Sequence, residues 1–182
     1  MKSVALFGGS FDPPHIGHIR VVEALQKLPF IDTIIVMPTY LNPFKSSFAA
    51  PAELRVKWLK EIFAPYKKVH VSSFEANMQR KVPTIESVRY LAKKYDKIYL
   101  VIGADNLHSL TKWTEYEHLK EMVTFIVATR NNIEVDKEYI TLKVDENIAS
   151  SELRKDMQVA KLPQKCADTI QKYYKEHNAN KN

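Results

Sequence analysis

The sequence is poor in cysteine, and this shortage excludes one class of protein. The chain has 182 residues and a single cysteine, Cys166, so no disulfide bond can form within it. A small fold held together by disulfides is therefore excluded, and a reducing compartment fits the composition. Cys166 falls in a helical pattern, and we expect it to be a small core residue and not a nucleophile.

Long apolar runs and basic runs are also missing. No window of about eighteen residues is apolar throughout, and no basic region with an apolar stretch opens the chain. We therefore expect no transmembrane helix, no signal peptide and no membrane partner, and we expect a cytoplasmic protein. The net charge of +6 suits anionic partners, although an ordinary solvated lysine-rich surface would give the same balance. Because the basic residues are scattered, we expect no nucleic-acid partner.

Short apolar runs alternate with helical patterns along the whole chain. The runs predict buried strands at 4–7, 33–37, 98–102 and 123–128, and weaker patterns predict strands at 68–72 and 138–144. Helical periodicity lies between them and continues through a C-terminal helical part at about 150–177. This order predicts one α/β domain over 1–182, with a doubly wound, mostly parallel sheet and helices on both faces.

A sheet of this kind binds ligands beyond the carboxyl ends of its strands. We therefore expect the functional residues in the loops after Phe7, Met37, Ile102 and Ala128. The chain has only four glycines, and three of them fall in the stretch LFGGSFDPPHIGH after the first strand. We expect the adjacent pair to turn the backbone sharply and to let a ligand approach closely.

Two histidines in the same stretch predict a polyphosphate site. His15 and His18 are three residues apart on either side of Gly17, at the start of a predicted helix, and would share one face of it. A helix N-terminus offers unpaired N–H groups and a positive field, and imidazoles add further donors. Two alternatives remain: a metal-binding pair, for which no third ligand cluster is evident, or a tight turn with exposed histidines. The stretch matches neither the dinucleotide-binding fingerprint nor the P-loop.

The stretch GGSFDPPHIGH resembles the G-x-F-x-P-x-H-x-G-H signature of the nucleotidyltransferase superfamily, in the form found in nicotinate mononucleotide adenylyltransferases. Later segments resemble the same family in the same order: PTYLNPFK, VPTIESV, IGADNLHSLTKW and IASSELR. The resemblance spans residues 4–154. It implies a Rossmann-like nucleotidyltransferase fold and an enzyme of NAD biosynthesis, which would join ATP to nicotinate mononucleotide and release pyrophosphate.

The resemblance also implies roles for particular residues. The implied catalytic residues are His15, His18, Lys45 and Arg154. The implied ATP-binding residues are Gly8, Gly9, Ser10, Phe11, Gly17, Gly103, Asp105, Arg130, Ser150 and Ser151. The implied residues for nicotinate mononucleotide are Thr84, Trp113 and Lys45. Mg²⁺ is expected to accompany ATP, held by phosphates and water, since the sequence shows no dedicated carboxylate cluster.

Several of these residues have ordinary structural alternatives. Ser150 and Ser151 also fit a helix cap, Asp105 could cap the next helix, and Trp113 could be a core residue. The sequence departs from the family pattern at Asn42, Phe44, Val82, Pro83 and Thr114.

Alternatives also remain for the function as a whole. The acceptor could be nicotinamide mononucleotide or phosphopantetheine, or the chain could be a nucleotide sensor without catalysis. The sequence leaves open whether the chain forms a homo-oligomer.

Overall fold

A single parallel sheet organises the protein. The computed structural model describes residues 1–129, 134–144 and 148–179. Its strands are β1 (Ser3–Gly9), β2 (Thr33–Pro38), β3 (Val69–Val71), β4 (Lys97–Gly103), β5 (Thr124–Thr129) and β6 (Ile140–Lys143). All the neighbouring strands pair in parallel, in the order β3-β2-β1-β4-β5-β6. The predicted doubly wound α/β fold is therefore confirmed.

Helices cover both faces of this sheet. They are α1 (Ile16–Gln26), α2 (Ala52–Phe63), α3 (Phe74–Asn77), α4 (Thr84–Ala92), α5 (Tyr116–Met122), α6 (Ser150–Lys155) and α7 (Ala167–Ala179), with 3-10 helices at Ala104–Lys112 and Val159–Lys161. Alternate strand residues point to opposite faces, so Ala5 packs with α1, α2 and α7, while Leu6 packs with α4 and α5. None of the helices among the described residues is long and apolar enough to cross a bilayer.

The two halves of the chain meet between β1 and β4. Leu6 of β1 pairs with Ile35 of β2 on one side and with Leu100 of β4 on the other. The chain first builds outward from β1 to β3 and then returns to build β4 to β6 on the opposite side. Such a reversal opens a crevice at the carboxyl ends of the two central strands, which is where a ligand binds in this class of sheet.

The turn after β1 is not made by glycine, so the expectation that Gly8 and Gly9 turn the backbone was wrong. Both glycines continue the strand, paired with Met37 and Pro38 of β2, and all four glycines of the chain have negative φ. The backbone turns instead at Phe11, whose φ is 50°. The Phe11 ring is buried and packs at 4.7 Å, centroid to centroid, from the ring of His18, so tertiary contacts hold this conformation.

Cys166 lies in the core, as predicted. Its thiol donates a hydrogen bond to Oε2 of Glu61 at 3.2 Å. Burial is the main cause that raises the pKa of this thiol to about 11. A buried thiol with a raised pKa is disfavoured as a thiolate near neutral pH, as expected for a structural cysteine.

Candidate active site

The two histidines form one rigid unit at the start of α1. His15 is the N-cap residue, with extended backbone, and its N–H donates to Nδ1 of His18 at 3.1 Å. The two imidazoles stack with their centroids 3.6 Å apart and their planes 22° apart. Because Nδ1 of His18 accepts this bond, the proton of the neutral ring lies on Nε2. His18 is thereby fixed as an Nε2–H donor.

Gly17 is required by this pair of rings. A methyl group at position 17 would lie 2.8 Å from Cε1 of His15 and 2.9 Å from its Nδ1. The His15 side chain is buried, so its ring has little room to move. The glycine is therefore explained by the position of His15 and not by an unusual backbone angle.

A cleft of about 640 Å³ opens in front of the histidines, and we call it the histidine pocket. It lies between the carboxyl ends of β1 and β4. Its lining includes Gly8, His15, Gly17, His18, Gly103, Asp105, Asn106 and Ala128. Gly103, not Asp105, is the N-cap residue of the 3-10 helix, so the capping alternative for Asp105 is wrong. A methyl group at Gly103 would lie 2.5 Å from Oδ1 of Asp105, so the glycine leaves room for this carboxylate.

A second cleft, of about 820 Å³, lies on the other side of Gly8 and Gly103, and we call it the tryptophan pocket. Its lining includes Gly8, Gly9, Thr39, Asn42, Phe44, Glu75, Val82, Thr84, Gly103, Asn106 and Trp113. Three of the positions that depart from the family pattern therefore fall in this pocket. Trp113 also packs against the core beneath β4, so it has both a core side and a pocket side. Among the described residues, no hydrogen-bond partner is found for its buried Nε1.

A third, basic pocket of about 550 Å³ collects positive charge beside the loop after β1. Its lining includes Ser10, Lys45, Arg55 and Arg154. Partial burial, and then the charge of Arg154, lower the pKa of the Lys45 ammonium, while Asp12 raises it. Such a concentration of cations favours an anion that would reduce their mutual repulsion.

Arg55 and Asp12 hold the loops that carry these pockets, a role that was not expected for either residue from the sequence. The buried Arg55 guanidinium donates to the carbonyls of Ser10, Thr39, Tyr40 and Ala50 at 2.7–2.9 Å. Its burial lowers the pKa of the guanidinium, and Asp12 partly offsets this effect. The loops after β1 and β2 are therefore fixed to α2 by one side chain.

Asp12 joins the same loops to the end of the chain. Its carboxylate accepts from the N–H groups of Ala49 and Ala50, at 2.7 and 2.9 Å, and from the hydroxyl of Tyr174 in α7. Its carbonyl accepts from Arg154 at 2.6 Å. In the sequence, the position of Asp12 inside the opening motif was the feature that could have indicated this role.

Some of the implied site residues lie elsewhere. The Phe11 side chain is in the core, and the Ser150 hydroxyl donates to the carbonyl of Pro13 at 2.9 Å. Ser150 is the first residue of α6 and its cap is Ala149, so Ser150 is not a helix cap. Phe11, Ser150 and the exposed Ser151 line none of these three pockets. Arg130 lies outside the described residues.

The donor set does not fit a metal held by the protein. Among the described residues, no group of three His, Cys, Asp or Glu side chains is placed to bind an ion. A metal-binding role for the His15–His18 pair therefore gains no support from a third ligand.

The chain is similar to a known protein family, to named bacterial proteins and to a solved structure. The family described as cytidylyltransferase-like matches residues 6–156. A protein of Sulfurimonas denitrificans called "Probable nicotinate-nucleotide adenylyltransferase" is 59% identical over 176 residues, covering 97% of each chain. A Campylobacter jejuni protein of the same name is 48% identical, covering 94% of this chain and 96% of its own. The solved structure "Plasmodium falciparum nicotinic acid mononucleotide adenylyltransferase complexed with NaAD" has a TM-score of 0.75 at 21% identity, with 98% of this chain and 97% of that chain covered.

The switch-point crevice, the stacked histidines at a helix start and the adjoining pockets define a Rossmann-like nucleotidyltransferase. The chain belongs to the cytidylyltransferase-like family, and within it the relatives of high identity carry the nicotinate-nucleotide adenylyltransferase name. The resemblance seen in the sequence motifs is confirmed.

Proposed function

We propose that the protein transfers the adenylyl group of ATP to nicotinate mononucleotide, giving nicotinate adenine dinucleotide and pyrophosphate in the synthesis of NAD. The observation that carries this proposal is the meeting of two pockets. The histidine pocket and the tryptophan pocket share Gly8, Gly103 and Asn106 at the ends of β1 and β4. Two nucleotides seated in them would have their phosphates side by side. The names of the relatives support this reading.

ATP would occupy the histidine pocket. The Nε2–H of His18 would donate to its phosphates, together with His15 and the N-terminal field of α1. Asp105, exposed in this pocket, would accept from a ribose hydroxyl. Roles for Gly8, Gly9, Gly17 and Gly103 in leaving room for ATP, and for Ser10, Phe11, Arg130, Ser150 and Ser151 in binding it, stay predictions.

Nicotinate mononucleotide would occupy the tryptophan pocket. Trp113 would stack on the pyridine ring, and Thr84 at the start of α4 would hydrogen-bond to it. Its phosphate would lie toward the basic pocket, where Lys45 and Arg154 neutralise charge.

The reaction needs positioning and charge neutralisation rather than a protein nucleophile. A phosphate oxygen of the mononucleotide attacks the α-phosphorus of ATP, and the bond from that phosphorus to the oxygen bridging to the β-phosphate breaks. Negative charge then grows on the departing pyrophosphate. His18, His15, Lys45 and Arg154 would stabilise that charge, which is the main catalytic contribution available to such a site.

Membership of the nucleotidyltransferase family suggests a divalent metal. We propose Mg²⁺, bound by the phosphates of ATP and by water, since the described residues hold no ligand cluster of their own. We further propose a cytoplasmic location, for which the single buried cysteine is the supporting observation.

The test is release of pyrophosphate from ATP and Mg²⁺ with one acceptor at a time: nicotinate mononucleotide, nicotinamide mononucleotide or phosphopantetheine. We expect the highest kcat/KM with nicotinate mononucleotide, and nicotinate adenine dinucleotide as the adenylylated product. ATP binding without pyrophosphate release on any acceptor would identify a sensor. A higher kcat/KM with another acceptor would identify a different transferase.

A further inference from the structure

The tryptophan pocket has an unexpected electrostatic character. Among the described residues that line it, the one ionisable side chain is an acid, Glu75. Lys45 and Arg154 line the basic pocket instead. A pyridine ring carrying a carboxylate would therefore enter a site whose own charge has the same sign.

Glu75 is fixed in the wall of this pocket. It lies on α3, is 6% exposed, and accepts a hydrogen bond through Oε2 from the Ser87 hydroxyl at 3.0 Å. Ser87 is fully buried on α4, the helix that begins at Thr84. The carboxyl of Glu75 is thus tied to the element that presents Thr84 to the pyridine ring.

No positive group compensates the charge of Glu75 from the elements packed around it, as far as the described residues show. β2 contains no titratable residue, and α2 presents Ala52 and Val56 to Ala76 of α3. From α4 the charged neighbour is another acid, Glu86, which pairs with Arg80 at 2.8 Å. Burial is the main cause that raises the pKa of Glu75 to about 7. The Ser87 hydrogen bond opposes this rise, and the charge of Glu86 contributes to it.

The two protonation states of Glu75 would act differently on a ring substituent. An ionised Glu75 beside a buried substrate carboxylate would place two like charges in a poorly solvated site, which is strongly unfavourable. A protonated Glu75 removes this repulsion and adds a hydrogen-bond donor. An uncharged carboxamide on the ring suffers no such repulsion, and its NH₂ group can donate to an ionised Glu75.

We propose that Glu75 is a specificity-determining residue of the tryptophan pocket, which admits a ring carboxylate when protonated and favours a ring carboxamide when ionised. This inference rests on the proposed function, because it assumes that the pocket holds the pyridine ring.

The test is the ratio of kcat/KM for nicotinate mononucleotide to kcat/KM for nicotinamide mononucleotide, measured from about pH 6 to about pH 8.5. Titration of the histidines, of Lys45 and of the phosphates affects both substrates, so it cancels in the ratio. We expect the ratio for the unaltered protein to fall roughly tenfold as Glu75 loses its proton. Glu75→Gln keeps the shape without the charge and should give a flat ratio. The exposed Glu53→Gln on α2 is the matched control and should fall like the unaltered protein.

A second variant tests the same point without altering Glu75. Ser87→Ala removes the hydrogen bond that lowers the pKa of Glu75, so the fall in the ratio should move to higher pH. A purely structural role for Ser87 would change melting temperature without moving this midpoint. If Glu75→Gln fails to fold, the Ser87→Ala shift decides the matter.

The outcomes separate the two proposals. A ratio independent of pH in the unaltered protein, or the same fall in Glu75→Gln, overturns the role of Glu75 while turnover of nicotinate mononucleotide leaves the proposed function intact. Absence of turnover with nicotinate mononucleotide at every pH overturns the proposed function and this inference with it.

Discussion

One backbone hydrogen bond determines which ring nitrogen of His18 carries the proton, and this predicts the effect of replacing His18. Because Nδ1 accepts from the N–H of His15, the neutral ring carries its proton on Nε2, and we expect this N–H to donate to a phosphate. Its contact strengthens as charge moves to pyrophosphate, so His18→Ala should lower kcat by about a hundredfold or more. The KM for nicotinate mononucleotide should change by less than about threefold, since we propose that this substrate binds in the tryptophan pocket.

Steady-state kinetics with both substrates varied checks this prediction. His118→Ala is the matched control, because His118 is exposed on α5 and contacts Glu115, away from the pockets. An equal loss in kcat and in mononucleotide binding would contradict the role assigned to His18.

Trp113 lines the tryptophan pocket and also packs against the core. The substitution Trp113→Ala distinguishes a role in substrate binding from a role in stability. Loss of ring stacking is worth about 1–3 kcal/mol, so Trp113→Ala should raise the KM for nicotinate mononucleotide about tenfold or more. The control is Trp58→Ala, which empties a fully buried core position and should lower stability without this selective change in KM. An unchanged KM for Trp113→Ala, together with lower stability, would show that Trp113 acts as a core residue and not in substrate binding.

The first turn of α1 affects both the stability of this helix and the position of the His15 ring, because Gly17 lies in that turn and against that ring. Gly17→Ala adds a good helix former in the first turn, worth up to about 1 kcal/mol of helix propensity. The same methyl group meets the His15 ring at 2.8 Å and must displace it. We therefore expect kcat to fall more than tenfold, because a displaced His15 would stabilise the charge of the departing pyrophosphate less well. The melting temperature should change little.

Differential scanning calorimetry and kcat on the same preparation check the prediction for Gly17→Ala. The control is Ala24→Gly in the same helix, which should lower the melting temperature and spare kcat. A variant at Gly17 with normal turnover would show that the stacked arrangement of His15 and His18 is dispensable.

Elements with a strong local signal were predictable from the sequence. The strands carry continuous apolar runs, and β1, β2, β4 and β5 lie where those runs predict them. The four-residue helix α3 was missed, because it is shorter than two helical turns and shows no periodicity. A helix after β4 was expected, with Asp105 as a possible cap, but its 3-10 form was not, since the period of a 3-10 helix differs from that of an α-helix.

The candidate site was predictable where its residues lie close together in the chain. His15, Gly17 and His18 belong to one motif, and their spacing indicates a shared helix face. The turn was assigned to Gly8 and Gly9, but the register with β2 carries both glycines on as strand. The Asp12–Tyr174 contact joins residues 162 positions apart, and Glu75 meets Ser87 through the packing of two helices. No local pattern encodes such contacts.

At the scale of the whole molecule, the strand order brings distant segments to one edge of the sheet. The segments after β1, β2 and β4 contribute to the pockets, together with Ala128 near the end of β5, as expected for the carboxyl ends of parallel strands. Residues from α6 and α7 then reach back to the first loop through Asp12. This return of the C-terminal helices supports one domain over 1–182, which stays a prediction, as does the association of chains into a homo-oligomer.

The Tyr174–Asp12 contact predicts that the last helix positions the first loop. Burial and the negative charge of Asp12 raise the pKa of Tyr174, so its hydroxyl remains a donor at all ordinary pH values. Tyr174→Phe keeps the ring and removes one hydrogen bond to a charged acceptor, which should cost about 1.5–3 kcal/mol of the free energy of unfolding. Asp12 also holds the N–H groups of Ala49 and Ala50, so the loop carrying Lys45 should loosen and kcat/KM should fall.

Denaturant unfolding and kcat/KM for both substrates check the effect of Tyr174→Phe. Tyr173→Phe is the matched control, because the neighbouring ring packs against Trp58 and His177, and no hydrogen bond of its hydroxyl is found among the described residues. We expect this control to change the unfolding free energy by less than about 0.5 kcal/mol. Identical stability and kinetics for the two variants would mean that the Tyr174 hydroxyl does not hold the loop, and that the remaining hydrogen bonds of Asp12 and Arg55 are sufficient.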